Sequence, residues 1–247
     1  MKVGLFIPCY VDAFFPEVGI ATLGLLERLG LDVVYPLDQT CCGQPMGNSG
    51  CERDAASTEA LFVKNFTGFE YVVSPSGSCV HHVRENLTAI RQTAQVQKVR
   101  ARTFELVEFL HDVLEVHEFP WAAFKHKVGL HIGCATLRAL REAKTSEINE
   151  PSFSKPMDLL SKVKGIQFVK PERPDECCGF GGTFSVFEEP VSAQMGYDKV
   201  NDHHRAGAEY IVSTDMSCVM HQKGCAGRLG LPLKFIHVAQ ILNGARA

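Results

Sequence analysis

The chain has 247 residues, 45% of them hydrophobic and 21% charged, with a formal net charge of −3. This is the composition of a globular protein long enough for one large domain or two ordinary ones, and its slight acidity gives no electrostatic reason to expect nucleic acid or an anionic membrane. No apolar run reaches the length of a transmembrane segment, and the first residues read as a strand rather than a secretory leader, so the expected location is the cytoplasm.

Residues 3–7 form an apolar, β-branched run ending at Pro8-Cys9 and predict a strand. Residues 18–29 place Val18, Leu25, Leu26 and Leu29 at helical spacing, with Gly30 positioned to end the helix. A second strand over 32–35 stops at Pro36, shortly before the doublet Cys41-Cys42. Residues 55–66 read as a helix and 71–74 as a third strand, closed by the turn Pro75-Ser76-Gly77-Ser78. The stretch from Arg84 to Val116 has helical periodicity.

The plan then starts again. Strands are predicted over 128–132, 166–169 and 210–212, and helices over 157–163 and 191–204. Lys2-Val3-Gly4-Leu5 recurs as Lys127-Val128-Gly129-Leu130, and Glu70-Tyr71-Val72-Val73-Ser74 as Glu209-Tyr210-Ile211-Val212-Ser213. The closing segments 109–114 and 237–242 correspond as well. Residues 118–126, which hold Pro120, are the expected joint between two units, 1–120 and 125–247. Strands alternating with helices predict an α/β fold of two tandem, pseudo-symmetric halves, each with a mainly parallel sheet.

The repeat also organises eight of the ten cysteines. Each half has one cysteine after its first strand (Cys9, Cys134), a doublet after its second (Cys41-Cys42, Cys177-Cys178) and one after its third (Cys79, Cys218). Ligands of open parallel sheets bind outside the carboxyl ends of the strands, so the four thiols of each half are expected to meet at one sheet edge. In a reducing compartment such clusters point to metal or redox chemistry rather than to structural disulfides. Cysteine sulfur is the main donor to iron-sulfur clusters, whereas the usual zinc site is built from Cys-x-x-Cys knuckles, which are absent here. Adjacent side chains of a strand point to opposite faces, so each doublet needs a sharp turn, which Gly43 and Gly179 permit. Gly179-Phe180-Gly181-Gly182 serves that turn; without a following Lys-Ser/Thr it is not a phosphate loop. Two other chemistries stay open at this point: a redox-active dithiol and a zinc-stabilised assembly module. Cys51 and Cys225 fall outside the repeat and read as ordinary thiols.

These doublets resemble the cysteine-rich CCG domain that occurs twice in one of the heterodisulfide reductase polypeptides. More closely, Cys41-Cys42-Gly43-Gln44-Pro45 with Asn48-Ser49-Gly50, Ser74-Pro75-Ser76-Gly77-Ser78-Cys79 and Cys177-Cys178-Gly179-Phe180-Gly181-Gly182-Thr183-Phe184-Ser185 resemble the lactate-utilization protein A family, as do Gly227-Arg228-Leu229 and His237-Val238-Ala239. The resemblance covers essentially the whole chain. It implies the cytosolic iron-sulfur, electron-transfer subunit of a system that oxidises L-lactate to pyruvate, working with a ferredoxin-like iron-sulfur subunit and a third small subunit. The implied cofactors are [4Fe-4S] clusters, one or two per chain. Cys9, Cys41, Cys42 and Cys79 would hold one, and Cys134, Cys177, Cys178 and Cys218 the other. A thiol-disulfide reductase subunit is the alternative implied by the reductase relationship.

The broader family often ends its motif with Cys-x-x-Cys, but here His82 and His221 stand three residues after Cys79 and Cys218. Both read as exposed histidines following a turn, not as ligands. His81, His131, His203, His204 and His237 have no spacing argument and read as packing or surface residues.

Overall fold

A computed structural model describes residues 1–245; positions 246 and 247, which close the expected second unit, lie outside the described residues. Eight strands form two four-stranded sheets in which every pair is parallel. The first contains β1 (Lys2–Leu5), β2 (Asp32–Val34), β3 (Tyr71–Ser74) and β4 (Thr103–Glu105) in the order β2-β1-β3-β4. The second contains β5 (Lys127–His131), β6 (Gln167–Phe168), β7 (Tyr210–Ser213) and β8 (Lys234–His237) in the order β6-β5-β7-β8. The registers repeat: Val3 pairs with Tyr71 and Gly4 with Val72, as Val128 pairs with Tyr210 and Gly129 with Ile211. The α/β class and the doubled parallel architecture expected from the sequence are therefore present. In each sheet the chain leaves the first strand for one neighbour, then crosses to the other side. The carboxyl ends of the first and third strands thus flank a topological switch point.

The helical reading of Arg84 to Val116 is overturned. That stretch continues a π-turn at His82–Asn86, then forms a helix at Ala94–Ala101, strand β4, a short helix at Leu106–Glu108 and a second π-turn at Phe109–Val113. β4 owes its existence to β3, whose Val72 and Val73 take Thr103 and Phe104 as partners. Periodicity records only neighbours along the chain, so a three-residue strand formed by a distant partner gives it no signal. β8, which borders β7 in the same way, is likewise absent from the strands that the sequence predicts.

The largest apolar cluster belongs to neither half alone. It joins Val3, Leu5, Leu25 and Leu26 to Val128, Leu159, Leu160 and Leu242, all essentially inaccessible to solvent. Helix Pro16–Arg28 packs against helix Val238–Leu242, and Gly24 keeps the approach close: a Cβ there would lie 3.1 Å from Asn243 Nδ2. Trp121 Nε1 donates to the Leu242 carbonyl at 2.8 Å. Local cores complete each half, including an aromatic pile in which the Phe6 ring lies 5.0 Å from Phe62 and 5.8 Å from Phe66.

A pair of carboxyl groups also spans the halves. Glu105, at the end of β4, and Glu142 face each other without solvent access. Glu105 Oε2 accepts from the Val107 N–H at 2.5 Å and the Glu108 N–H at 3.3 Å. Burial pushes Glu105 up to about 8, and burial together with the Glu105 charge raises Glu142 well above the usual carboxyl range. Both carboxyls therefore resist ionisation in the folded state. A folded-state value above the unfolded one contributes stability at low pH that is lost as pH rises, here from about 4.5 through about 8. The urea midpoint is expected to fall between about pH 5 and pH 8.5, and to fall less in Glu142→Gln, which keeps a donor toward Glu105 but cannot ionise. Parallel pH profiles for the two proteins would contradict this assignment.

Candidate metal centres

Each centre is assembled from three loops that leave the carboxyl ends of adjacent strands. In the first half, Cys9 opens the helix Cys9–Phe14 after β1, Cys41-Cys42 follow β2, and Cys79 lies in the helix Gly77–His81 after β3. Cys9 is exposed, Cys41 half-buried, and Cys42 and Cys79 are buried. In the second half, Cys134 follows β5, Cys177-Cys178 follow β6, and Cys218 lies in the helix Met216–Arg228 after β7. There only Cys178 is fully buried.

The doublet loops share one conformation. Gly43 has φ +98° and Gly179 φ +90°, backbone geometry that favours glycine. This curl turns the N–H of each glycine onto the sulfur two residues back, Gly43 to Cys41 Sγ and Gly179 to Cys177 Sγ, both at 3.4 Å. Different devices seat the loops. In the first half Gln39 accepts from the Ile7 N–H at 2.8 Å and donates to the Leu5 and Pro36 carbonyls at 3.1 Å, fastening the approach to the doublet beside β1. In the second, the fully buried Lys199 ammonium donates to the carbonyls of Arg173 at 2.8 Å and Pro174 at 2.9 Å, while Asp202 accepts from the Glu172 and Arg173 N–H groups, both at 2.9 Å.

Within each half the four thiols lie in hydrogen-bonding sequence. Cys41 contacts Cys42 and Cys9, and Cys42 contacts Cys79; Cys177 contacts Cys134 and Cys178, and Cys178 contacts Cys218. S–H donation from Cys42 and Cys9, helped by the Gly43 N–H, pulls Cys41 down to about 2. Donation from Cys134 and Cys178 pulls Cys177 down to the same value. Cys9, Cys42, Cys134 and Cys178 shift the other way, because each keeps its proton to donate an S–H hydrogen bond to a neighbouring sulfur and burial disfavours a further charge. Each half thus gathers four sulfurs with one thiol favoured toward its thiolate form, a donor set matched to a soft cation. All eight cysteines of the repeat gather in this way, and Cys51 and Cys225 stand apart: Cys51 is exposed on its loop, and Cys225 packs with Val200 and Ala226.

The histidines depart from expectation. His82 is only 2% exposed rather than solvent-facing. It packs beneath the first doublet loop, its Nε2 3.3 Å from the point a Cβ on Gly43 would occupy, because glycines at 43 and 47 leave room for the ring. His221 does turn away from the thiols: its Nε2 lies 3.1 Å from the Ser192 carbonyl and 3.8 Å from Cys225 Sγ. His131, which no cysteine spacing singles out, is the one that meets them. It is completely buried, and a ring nitrogen of His131 and the sulfurs of Cys178 and Cys218 all lie within 4.8 Å of one another. The signal for it is in the repeat, where a histidine at the end of β5 replaces Phe6 just beyond β1.

One carboxylate connects the two centres. Asp215 Oδ1 accepts from Tyr10 Oη at 2.8 Å, the Ser217 N–H at 3.0 Å and Ser217 Oγ at 2.6 Å. Its Oδ2 accepts from Ser76 Oγ at 3.0 Å, the Ser78 N–H at 3.1 Å and Ser78 Oγ at 2.8 Å. Ser78 precedes Cys79 and Ser217 precedes Cys218, so one buried group fixes a cysteine-bearing turn in each half.

Comparison with known proteins agrees with this doubling. The cysteine-rich CCG domain family matches residues 3–84 and again 128–223. Lactate utilization protein A of Halalkalibacterium halodurans is 42% identical over 247 residues, covering 98% of this chain and 97% of the relative. The protein of the same name from Bacillus subtilis is 40% identical, covering 98% and 99%. A crystal structure of a hypothetical protein from Helicobacter pylori superposes with a TM-score of 0.55 at 11% identity, over 98% of this chain and 48% of that one, a likeness of fold alone. No helix among the described residues is long and apolar enough to cross a membrane. With the cysteine pattern matched twice and near-complete alignment to its relatives, the chain belongs to the CCG cysteine-rich domain family and to the lactate utilization protein A family.

Proposed function

We propose that this protein is the iron-sulfur, electron-transfer subunit of a cytoplasmic system that oxidises L-lactate to pyruvate. The observation that carries the reading is the gathering of two sets of four thiols at equivalent sheet edges. The lactate assignment comes from the names of the relatives. In this reading residues 1–120 and 125–247 are two cysteine-rich units. Cys9, Cys41, Cys42 and Cys79 hold one [4Fe-4S] cluster, and Cys134, Cys177, Cys178 and Cys218 hold the other. A bound cluster supplies a one-electron carrier whose potential responds to burial, net charge and hydrogen bonds to sulfur.

The chain's own contribution is positioning and tuning. Gly43 and Gly179 fold each doublet so that both sulfurs serve one centre and donate an N–H to its thiolate. Burial of Cys42, Cys79 and Cys178 keeps water from those sulfurs. Exposed Cys9 marks the side on which electrons enter or leave. The partners are a ferredoxin-like iron-sulfur subunit and a third small subunit, one of which carries the lactate chemistry.

Anaerobic purification followed by iron and sulfide analysis and EPR of the reduced protein tests this. Iron and acid-labile sulfide are expected together with a paramagnetic reduced state. Cys42→Ser should remove the iron of the first centre alone and Cys178→Ser that of the second. A folded, iron-free protein that still supports lactate-dependent electron transfer with its partners would overturn the reading. Stoichiometric zinc without visible absorption would instead identify an assembly module, and turnover of disulfide substrates a thiol-disulfide reductase.

A further inference from the structure

We propose that His131 is a nitrogen ligand of the second centre, so that the two centres differ: four cysteines in the first half, four cysteines and a histidine in the second. The inference rests on the iron-sulfur reading above and adds to it a ligand that the cysteine pattern does not contain.

β5 repeats β1 in register, Leu130 pairing with Val212 as Leu5 pairs with Val73, so His131 occupies the position held by Phe6 in the first half. Phe6 has an apolar reason to be there, since it stacks edge-on against Phe62 and Phe66. An imidazole at the same depth needs a different reason. His131 is 0% exposed, and neither ring nitrogen has a hydrogen-bond partner among the described residues. A buried polar group in that state carries its full desolvation penalty unless a partner is supplied. A partner is at hand in a metal held by the sulfurs of Cys178 and Cys218, which lie with a His131 nitrogen within 4.8 Å of one another. Among the described residues this is the single group of three or more metal-ligating side chains packed so closely. His82, in the first half, is not part of any such group, although its Nε2 is also without a partner.

The surroundings make the difference between the centres larger. The buried Lys199 ammonium fixes the second doublet loop through the Arg173 and Pro174 carbonyls. Beside the first doublet, Gly43 instead packs against the buried side chain of Glu59, whose carboxylate accepts from the Ala89 N–H at 2.8 Å. The nearby Lys199 cation favours added negative charge, and net charge is one of the terms that set the potential of an iron-sulfur centre. The second centre therefore has the higher reduction potential, and electrons entering the pair settle there.

The test uses the full chain, loaded anaerobically with ferrous iron and sulfide. Protein labelled with ¹⁵N-histidine and examined by pulsed EPR is expected to show strong coupling to one histidine nitrogen, and a potentiometric titration two reduction steps. His131→Phe, which places in the second half the residue the first half already carries, should abolish the strong coupling and shift only the higher potential. His131→Gln, of similar size to histidine, should do the same if the phenylalanine variant folds poorly. Iron-loaded protein without strong nitrogen coupling, or with coupling that survives both substitutions, overturns the histidine assignment and leaves the iron-sulfur reading standing. A protein that takes up no iron overturns both.

Discussion

Asp215→Ala is expected to destabilise the protein by on the order of 3–5 kcal/mol, measured as the shift in urea unfolding free energy. The carboxylate accepts from two backbone N–H groups and from four hydroxyls, three of which belong to the other half of the molecule. Alanine leaves the Ser78 and Ser217 N–H groups without their acceptor, at about 1–3 kcal/mol each, and removes hydrogen bonds strengthened by charge. It also removes the cap of the helix Met216–Arg228, where Asp215 accepts from the Ser217 N–H. Asp215→Asn retains one oxygen acceptor and should lose clearly less. If the alanine variant were as stable as the parent, the network would be incidental to the joining of the halves.

Gly179→Ala is expected to cost on the order of 3 kcal/mol, and Gly43→Ala only about 1–2. The two glycines have nearly the same φ, so the backbone strain is common to both. Their surroundings differ. A Cβ on Gly179 would lie 2.5 Å from the Ser192 carbonyl oxygen and 2.8 Å from Met195 Cβ, so the helix Glu189–Arg205 has to move. A Cβ on Gly43 would meet His82 Nε2 at 3.3 Å and Ala55 Cβ at 3.4 Å, contacts that a small adjustment relieves. Equal costs at the two sites, read from unfolding midpoints, would show that packing outside the doublets does not matter. On the iron-sulfur proposal, the same asymmetry predicts that Gly179→Ala depletes iron from the second centre more than Gly43→Ala does from the first.

The repeat makes most of this architecture legible in the chain itself. β1, β3, β5 and β7 are short, mainly apolar runs that end in a turn, and the cysteines mark the turns, so strand ends and thiols locate each other. β4 and β8 are not legible because they are edge strands defined by their partners. Glu105, which ends β4, and Lys234, which opens β8, do not read as strand residues, and only pairing with the neighbouring β3 and β7 makes them so. The histidines are hidden for a related reason. Spacing from the cysteines draws attention to His82 and His221, but depth in the fold decides what an imidazole does. His82 sits under the doublet loop, His221 turns to the Ser192 carbonyl, and His131, with no motif to announce it, lies against two sulfurs. The informative position is one where the halves differ, Phe6 against His131, rather than one they share.

The apolar cluster common to both halves sets the order in which the protein can be made. All four thiols of the first centre are translated by residue 79, well before those of the second. Yet helix Pro16–Arg28, which backs that first sheet, finds its cover in Val238–Leu242, near the far end of the chain. While the ribosome is still adding the second half, the first presents bare hydrocarbon and unpaired sulfur together. A chaperone that shields this surface, or a metal-delivery factor that waits for it to close, would meet a nascent chain whose first thiols are ready long before their scaffold is.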